Sequence, residues 1–117
     1  DEVGTAEAEI VVGERRFTIY NVHPDGSDTA MLSFADTLLN RSIGKENVIA
    51  LGDFNLRNDE EAYQRIVEVY ANVPNSDGHI DHIFLSSDLV MHNPVYVPAP
   101  ESATDHPLLY AEITWED

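Results

Sequence analysis

Apolar residues along this chain fall into short runs and alternations, and the period of each run predicts an element. Ala8 to Val12 reads as a strand, Gly13-Glu14 as a turn, and Phe17 to Val22 alternates like a second strand, so the pair predicts a hairpin. Pro24-Asp25-Gly26-Ser27 then breaks the chain. Asp28 is a good N-cap for a helix with Met31, Ala35, Leu38 and Leu39 on one stripe, stopped at Gly44. Asn47 to Leu51 is a short unbroken apolar run, which predicts a strand buried on both faces, with Gly52-Asp53-Phe54-Asn55 as the following loop. Asn58 or Asp59 caps a second helix whose first turn carries Glu60 and Glu61, where the helix dipole favours acids. Its apolar face is Ala62, Tyr63, Ile66, Val67 and Tyr70. A turn cluster at 74–78 leads to a strand from Ile80 to Leu85. The Pro-punctuated stretch 94–100 holds a short edge strand around Val95–Val97, and Leu108 to Trp115 forms the last strand.

The order ββαβαβββ predicts an α/β protein of α+β type, with a mixed, largely antiparallel sheet and helices on one face. The other face of such a sheet must be covered by something. A single domain over residues 1–117 is expected, with residues 1–8, and 1–7 above all, fraying. There is no repeat and no internal linker.

Charge narrows the partners. Six basic residues against 22 acidic ones give a net charge of −16. The only lysine is Lys45 and the five arginines are scattered, whereas nonspecific nucleic-acid binding relies on clustered Lys and Arg. Duplex DNA is therefore disfavoured as a partner of this segment. The absence of cysteine excludes disulfides, thiol catalysis and zinc–thiolate sites. No apolar run is long enough to span a membrane. The chain opens on Asp1, which suggests a piece of something longer.

The candidate chemistry lies at strand ends. Asn21 and His23 end the second strand, Asp53 and Asn55 follow the third, Asp81 sits inside an apolar strand, and Asp105 and His106 precede the last. Sites collect at such connections because a rigid scaffold positions them. A carboxylate in a strand as apolar as that of Asp81 is costly unless paired. It either faces water from an edge strand or orients a histidine in a His–Asp couple, for which His106 is the best partner. Asp53 and Asn55 either satisfy nearby backbone groups or together hold a water, a phosphate oxygen or a metal. His79, His82 and His92 read as structural or surface histidines, and His82 faces away from Asp81 across the strand. Converging carboxylates without cysteine favour Mg2+, Mn2+ or Ca2+. Such a cation with a histidine and a water-orienting Asp is suited to phosphoester hydrolysis.

Asn-Val-His at 21–23, Gly-Asp-Phe-Asn at 52–55, His-Ile-Asp-His-Ile-Phe at 79–84 and Thr-Asp-His-Pro at 104–107 occur in that order. The series resembles the C-terminal half of the endonuclease/exonuclease/phosphatase superfamily of DNase I-like proteins, over residues 8–115. The resemblance implies one half of a four-layer αββα sandwich and a divalent-metal-dependent phosphoesterase. It implies that His106 contacts the scissile phosphate and is oriented by Asp81. Asp53 would position or activate the attacking water with Asn55 beside it on the phosphate, and Asp105 would lie at the metal. His23 would be a second phosphate-binding histidine, supported by Asn21. His79 stands where the family commonly has Arg, and Thr104 where it often has Ser.

Family domains are longer, and their first half supplies an Asn and the principal metal-ligating Glu. The resemblance therefore implies an incomplete metal site here, a segment with little or no activity alone, and an apolar sheet face that associates with a second copy or with the other half. The acidic balance favours a small or lipid-like phosphoester over duplex DNA. Two other readings are a non-catalytic binding or scaffolding module of the same fold and an unrelated acidic α/β interaction domain. The last requires Asp81 and His106 to lie out of contact.

Overall fold

In a computed structural model, residues 5–72, 80–97, 106 and 108–116 are described. The elements are β1 (Thr5–Val12), β2 (Arg15–Val22), α1 (Asp28–Ser42), β3 (Val48–Asp53), α2 (Glu61–Val67), β4 (Ala71–Asn72), β5 (Asp81–Leu85), β6 (Val90–Val97) and β7 (Leu108–Thr114). The strands form a five-stranded sheet of order β1-β2-β3-β5-β4 and a separate hairpin, β6-β7. Among the described residues only the β2–β3 pairing is parallel.

The pleat divides the five-stranded sheet into two faces. On the first, Tyr20, Val22, Val48, Ala50 and Phe84 pack against Met31, Ala35 and Leu38 of α1 and Ala62, Tyr63 and Ile66 of α2. Both helices thus cover one face, as the pattern predicted. On the second face, Phe17, Ile19, Ile49, Ile83 and Leu85 meet Met91 of β6, Ile113 of β7 and the following Trp115. Phe17 and Trp115 stack edge to face at 5.0 Å. The covering layer that the sequence left open is supplied, at one end, by the chain's own last hairpin.

The differences from the sequence reading are local. β1 begins at Thr5, so residues expected to fray are paired with β2 as far as Val22. Ser27, not Asp28, caps α1: its Oγ accepts the Ala30 amide at 3.2 Å. Neither Asn58 nor Asp59 caps α2, where Glu60 is the N-cap and makes no side-chain capping bond. β3 is fully buried on its helix-facing side only, with Ile49 and Leu51 half-buried on the other. Within the described residues β4 adds two residues, too few to carry a period. The edge strand expected at 95–97 extends back to Val90, and Pro94 falls inside the bulge between His92 and Val95, where a missing N–H is tolerated. The turn cluster at 74–78 lies outside the described residues.

Candidate active site

The candidate side chains gather on the second face, at the end away from the hairpin's aromatic contacts. Asp53 at the end of β3 pairs in register with Asp81 at the start of β5, and directly opposed residues of an antiparallel pair point to the same side. His23 follows β2, the strand parallel to β3. His106 enters from the segment before β7.

His106 Nδ1 lies 2.8 Å from Asp81 Oδ2, and both side chains are partly buried. A carboxylate only accepts, so Nδ1 carries the proton and donates. This turns Nε2 toward Asp53 Oδ2, at 3.9 Å. His23 Nε2 approaches the same oxygen at 3.4 Å from an exposed position. The other Asp53 oxygen, Oδ1, accepts the backbone N–H of Asn55 at 2.9 Å. One carboxylate is thereby fixed by the backbone on one side and flanked by two imidazoles on the other.

Two conformational features make this possible. Gly52 has φ +132°, and a Cβ there would collide with the Val22 carbonyl oxygen and stand 3.3 Å from Asn21 Oδ1. Only glycine lets β2 and β3 approach this closely just before Asp53. Asn55 takes φ +55°, a left-handed conformation that Asn tolerates better than most residues. Its side-chain Nδ2 is turned to the loop after β2, 3.4 Å from the Pro24 carbonyl and 3.3 Å from Asp25 Oδ1. Between them, Phe54 is fully buried and anchors the motif in the core.

The structure therefore brings together His23, Asp53, Asn55, Asp81 and His106, with Asn21 beside Gly52. Asp105 lies outside the described residues. Asp25 escaped the sequence reading because it sits in an ordinary-looking turn; its position two residues after His23 was the available signal. His82 is a structural histidine, as its place on the strand predicted. Buried among Phe54, Tyr63 and Phe84, it reaches the Leu56 carbonyl at 2.6 Å. Burial pushes its imidazole below the ordinary value, against the Leu56 hydrogen bond and the charges of Asp81 and Asp53. His92 is exposed and 2.7 Å from Thr114 Oγ1.

One ligand atom each from Asp53, Asp81 and His106 lies within 4.8 Å of the other two, close enough to hold a metal ion. Two carboxylates and one imidazole are donors that a divalent cation can use.

No family model matches the sequence, and no curated protein matches it. Solved structures do. An endonuclease/exonuclease/phosphatase from Bacteroides vulgatus is 20% identical with a TM-score of 0.76, the match covering 89% of this chain and 51% of that one. The human Nocturnin catalytic domain with bound sulfate is 18% identical at a TM-score of 0.72, covering 96% and 52%. A mannosyl-6-phosphatase from Bacteroides thetaiotaomicron is 20% identical at 0.66, covering 88% and 53%. The chain spans about half the length of the structures it matches. It has the fold of one half of an endonuclease/exonuclease/phosphatase domain, consistent with the C-terminal half that the motif order implied.

Proposed function

We propose that this chain carries the His–Asp side of the active site of a divalent-metal-dependent phosphoesterase, hydrolysing a phosphoester by direct attack of water. The observation that carries the reading is the His106–Asp81 couple facing Asp53 across the His106 Nε2 atom. Asp81 fixes the tautomer and orientation of His106 and stabilises its protonated form. Nε2 then donates to a non-bridging phosphoryl oxygen as negative charge develops on it. Asp53, held through Oδ1 by the Asn55 amide, presents Oδ2 to align the attacking water and take its proton. His23 flanks the phosphate, with Asn21 supporting it, while the Asn55 amide hydrogens are taken by Pro24 and Asp25 and Asn55 acts through its backbone N–H on Asp53. Asp105, next to His106 in the chain, would lie at the metal site and leave Asp53, Asp81 and His106 for the chemistry, with Mg2+ the first choice and Mn2+ or Ca2+ the others. When bound, the ion would neutralise phosphoryl charge.

Asp53 is flanked by two histidines, and the chain's six basic residues are far outnumbered by 22 acidic ones. That supports a small or lipid-like phosphoester over duplex DNA. The matched structures are about twice as long, so the activity is assigned to a complete domain, and the 117-residue chain alone should be inactive or very weak. Val95, Val97, Leu108 and Tyr110 form an exposed apolar patch on the outer face of the β6–β7 hairpin. With the open part of the second sheet face, it supports association with the other half of the domain or, failing that, with a second copy. Light scattering that finds a monomer at working concentration would remove the second copy.

Titration of the 15N-labelled chain with Mn2+ tests the site. Selective paramagnetic broadening around Asp53, Asp81 and His106 is expected. Uniform broadening over the acidic surface would overturn the metal assignment. Phosphodiester hydrolysis by the chain alone, abolished by both Asp53→Asn and His106→Ala, would overturn the assignment to a complete domain.

A further inference from the structure

The loop between β2 and α1 is more constrained than its composition suggests. Pro24 is fully buried. Gly26 has φ +146°, and a Cβ there would come within 2.9 Å of the Ala30 side chain. Ser27 then caps α1 through the Ala30 amide. A buried ring, a glycine-only conformation and a helix cap fix four consecutive residues. Asp25, Gly26 and Ser27 are exposed, and Asp25 is the charged one among them.

This rigid rung meets Asn55. The two amide hydrogens of Asn55 have two acceptors, the Pro24 carbonyl at 3.4 Å and Asp25 Oδ1 at 3.3 Å. Asn55 in turn donates its backbone N–H to Asp53 Oδ1. Its left-handed backbone is a conformation that persists when its surroundings hold it there. If Asn55 relaxed, Oδ1 of Asp53 would lose its donor, and the carboxylate would be free to rotate away from His23 and His106.

We propose that Asp25 is a positioning residue that, by gripping the Asn55 side chain, fixes the Asp53 carboxylate. The proposal rests on the phosphoesterase reading for its catalytic meaning, while the contact chain Asp25–Asn55–Asp53 stands on geometry. A carboxylate at 25 suits this role because it accepts without competing as a donor, and its charge strengthens the bond to a neutral amide.

The test compares Asp25→Ala and Asp25→Asn in the 15N-labelled chain. Asn keeps an acceptor oxygen in the same place, so it should rescue. In the Ala variant, the Asn55 side-chain and backbone amide signals should move, and the side-chain amide should exchange with water roughly fivefold faster, the scale of one net hydrogen bond. In the Asn variant both should remain near wild type. Unchanged signals from Ala50 and Phe84 establish that the fold is intact. Titration with inorganic phosphate forms the second arm. Phosphate-induced shifts at Asp53 and His106 should weaken in the Ala variant and survive in the Asn variant. Asn55 signals that stay put in the Ala variant, or a loss that Asn fails to rescue, would overturn the positioning role. An Asn55 response with no phosphate shift in any variant would overturn the phosphate site while leaving the contact chain standing.

Discussion

Asp53 and Asp81 stand directly opposite each other on β3 and β5, so two carboxylates share one face of the sheet at its end. Like charges so placed destabilise an antiparallel pair. The arrangement persists because His106 donates to one and His23 lies against the other. On the phosphoesterase reading, this repulsion is stability exchanged for function. Asp53→Asn keeps an oxygen to accept the Asn55 amide while removing one charge, so it should raise stability by about 0.5 kcal/mol at neutral pH. Urea denaturation of the two proteins side by side measures this. The same change should sharply reduce hydrolysis by a complete domain. A stability loss would mean that the carboxylates do not repel in the folded protein.

His106→Ala and Asp81→Asn separate the two roles in the couple. Removing the imidazole should cost roughly 10²–10⁴-fold in turnover, the range of a positioned acid or base. Asp81→Asn retains an acceptor for the Nδ1 proton but not the charge that favours the imidazolium, so its loss should be smaller. Steady-state kinetics of the complete domain decide it. Equal losses would mean that Asp81 acts only as part of one inseparable unit.

The contact between Asp81 and His106 was easier to read from the sequence than the sheet around it. Asp81 stood out because a carboxylate inside Ile-Asp-His-Ile-Phe-Leu needs a partner, and His106 is that partner. The His82 assignment followed from strand alternation alone, since neighbours on a strand face opposite sides. What escaped was set by tertiary context. Nothing local distinguishes Ser27 from Asp28 as a cap, because both side chains accept equally well and the backbone decides. The length of β6 was hidden by Pro94, which reads as a terminator until a bulge accommodates it. Asp25 was hidden because its partner, Asn55, is 30 residues away. That the last hairpin covers the second sheet face depends on Phe17 meeting Trp115, a contact between opposite ends of the chain that no local period records.

Gly52 is a structural requirement of the site. A Cβ at φ +132° is strained, and it would strike the backbone of Val22, which cannot swing aside as a side chain does. Gly52→Ala should therefore destabilise the protein by roughly 2–4 kcal/mol, as strain at a special backbone position does. It should also disturb the amide signals of Asn21, Val22 and Asp53 together. Chemical denaturation and amide shifts check both. A stable variant with native shifts at those residues would show that β2 and β3 can separate without cost.

His82 makes stability depend on pH in a direction set by its burial. The folded protein holds this imidazole neutral, with a depressed pKa, while the unfolded chain titrates near the ordinary value of about 6.5. Below that pH the unfolded state binds a proton that the folded state refuses, so stability falls as pH falls. The contribution is complete above pH ~6.5 and is lost progressively toward the folded pKa, at no more than about 1.4 kcal/mol per pH unit for one proton. His82→Gln keeps a donor for the Leu56 carbonyl but does not titrate. Only residue 82 distinguishes the two proteins, so the informative quantity is the stability difference between them. That difference should be constant from pH 8 to 7 and then shift in favour of the Gln variant as pH drops from 6.5 to 5. A difference that stays flat across the whole range would mean that His82 takes up its proton in the folded core as readily as in water.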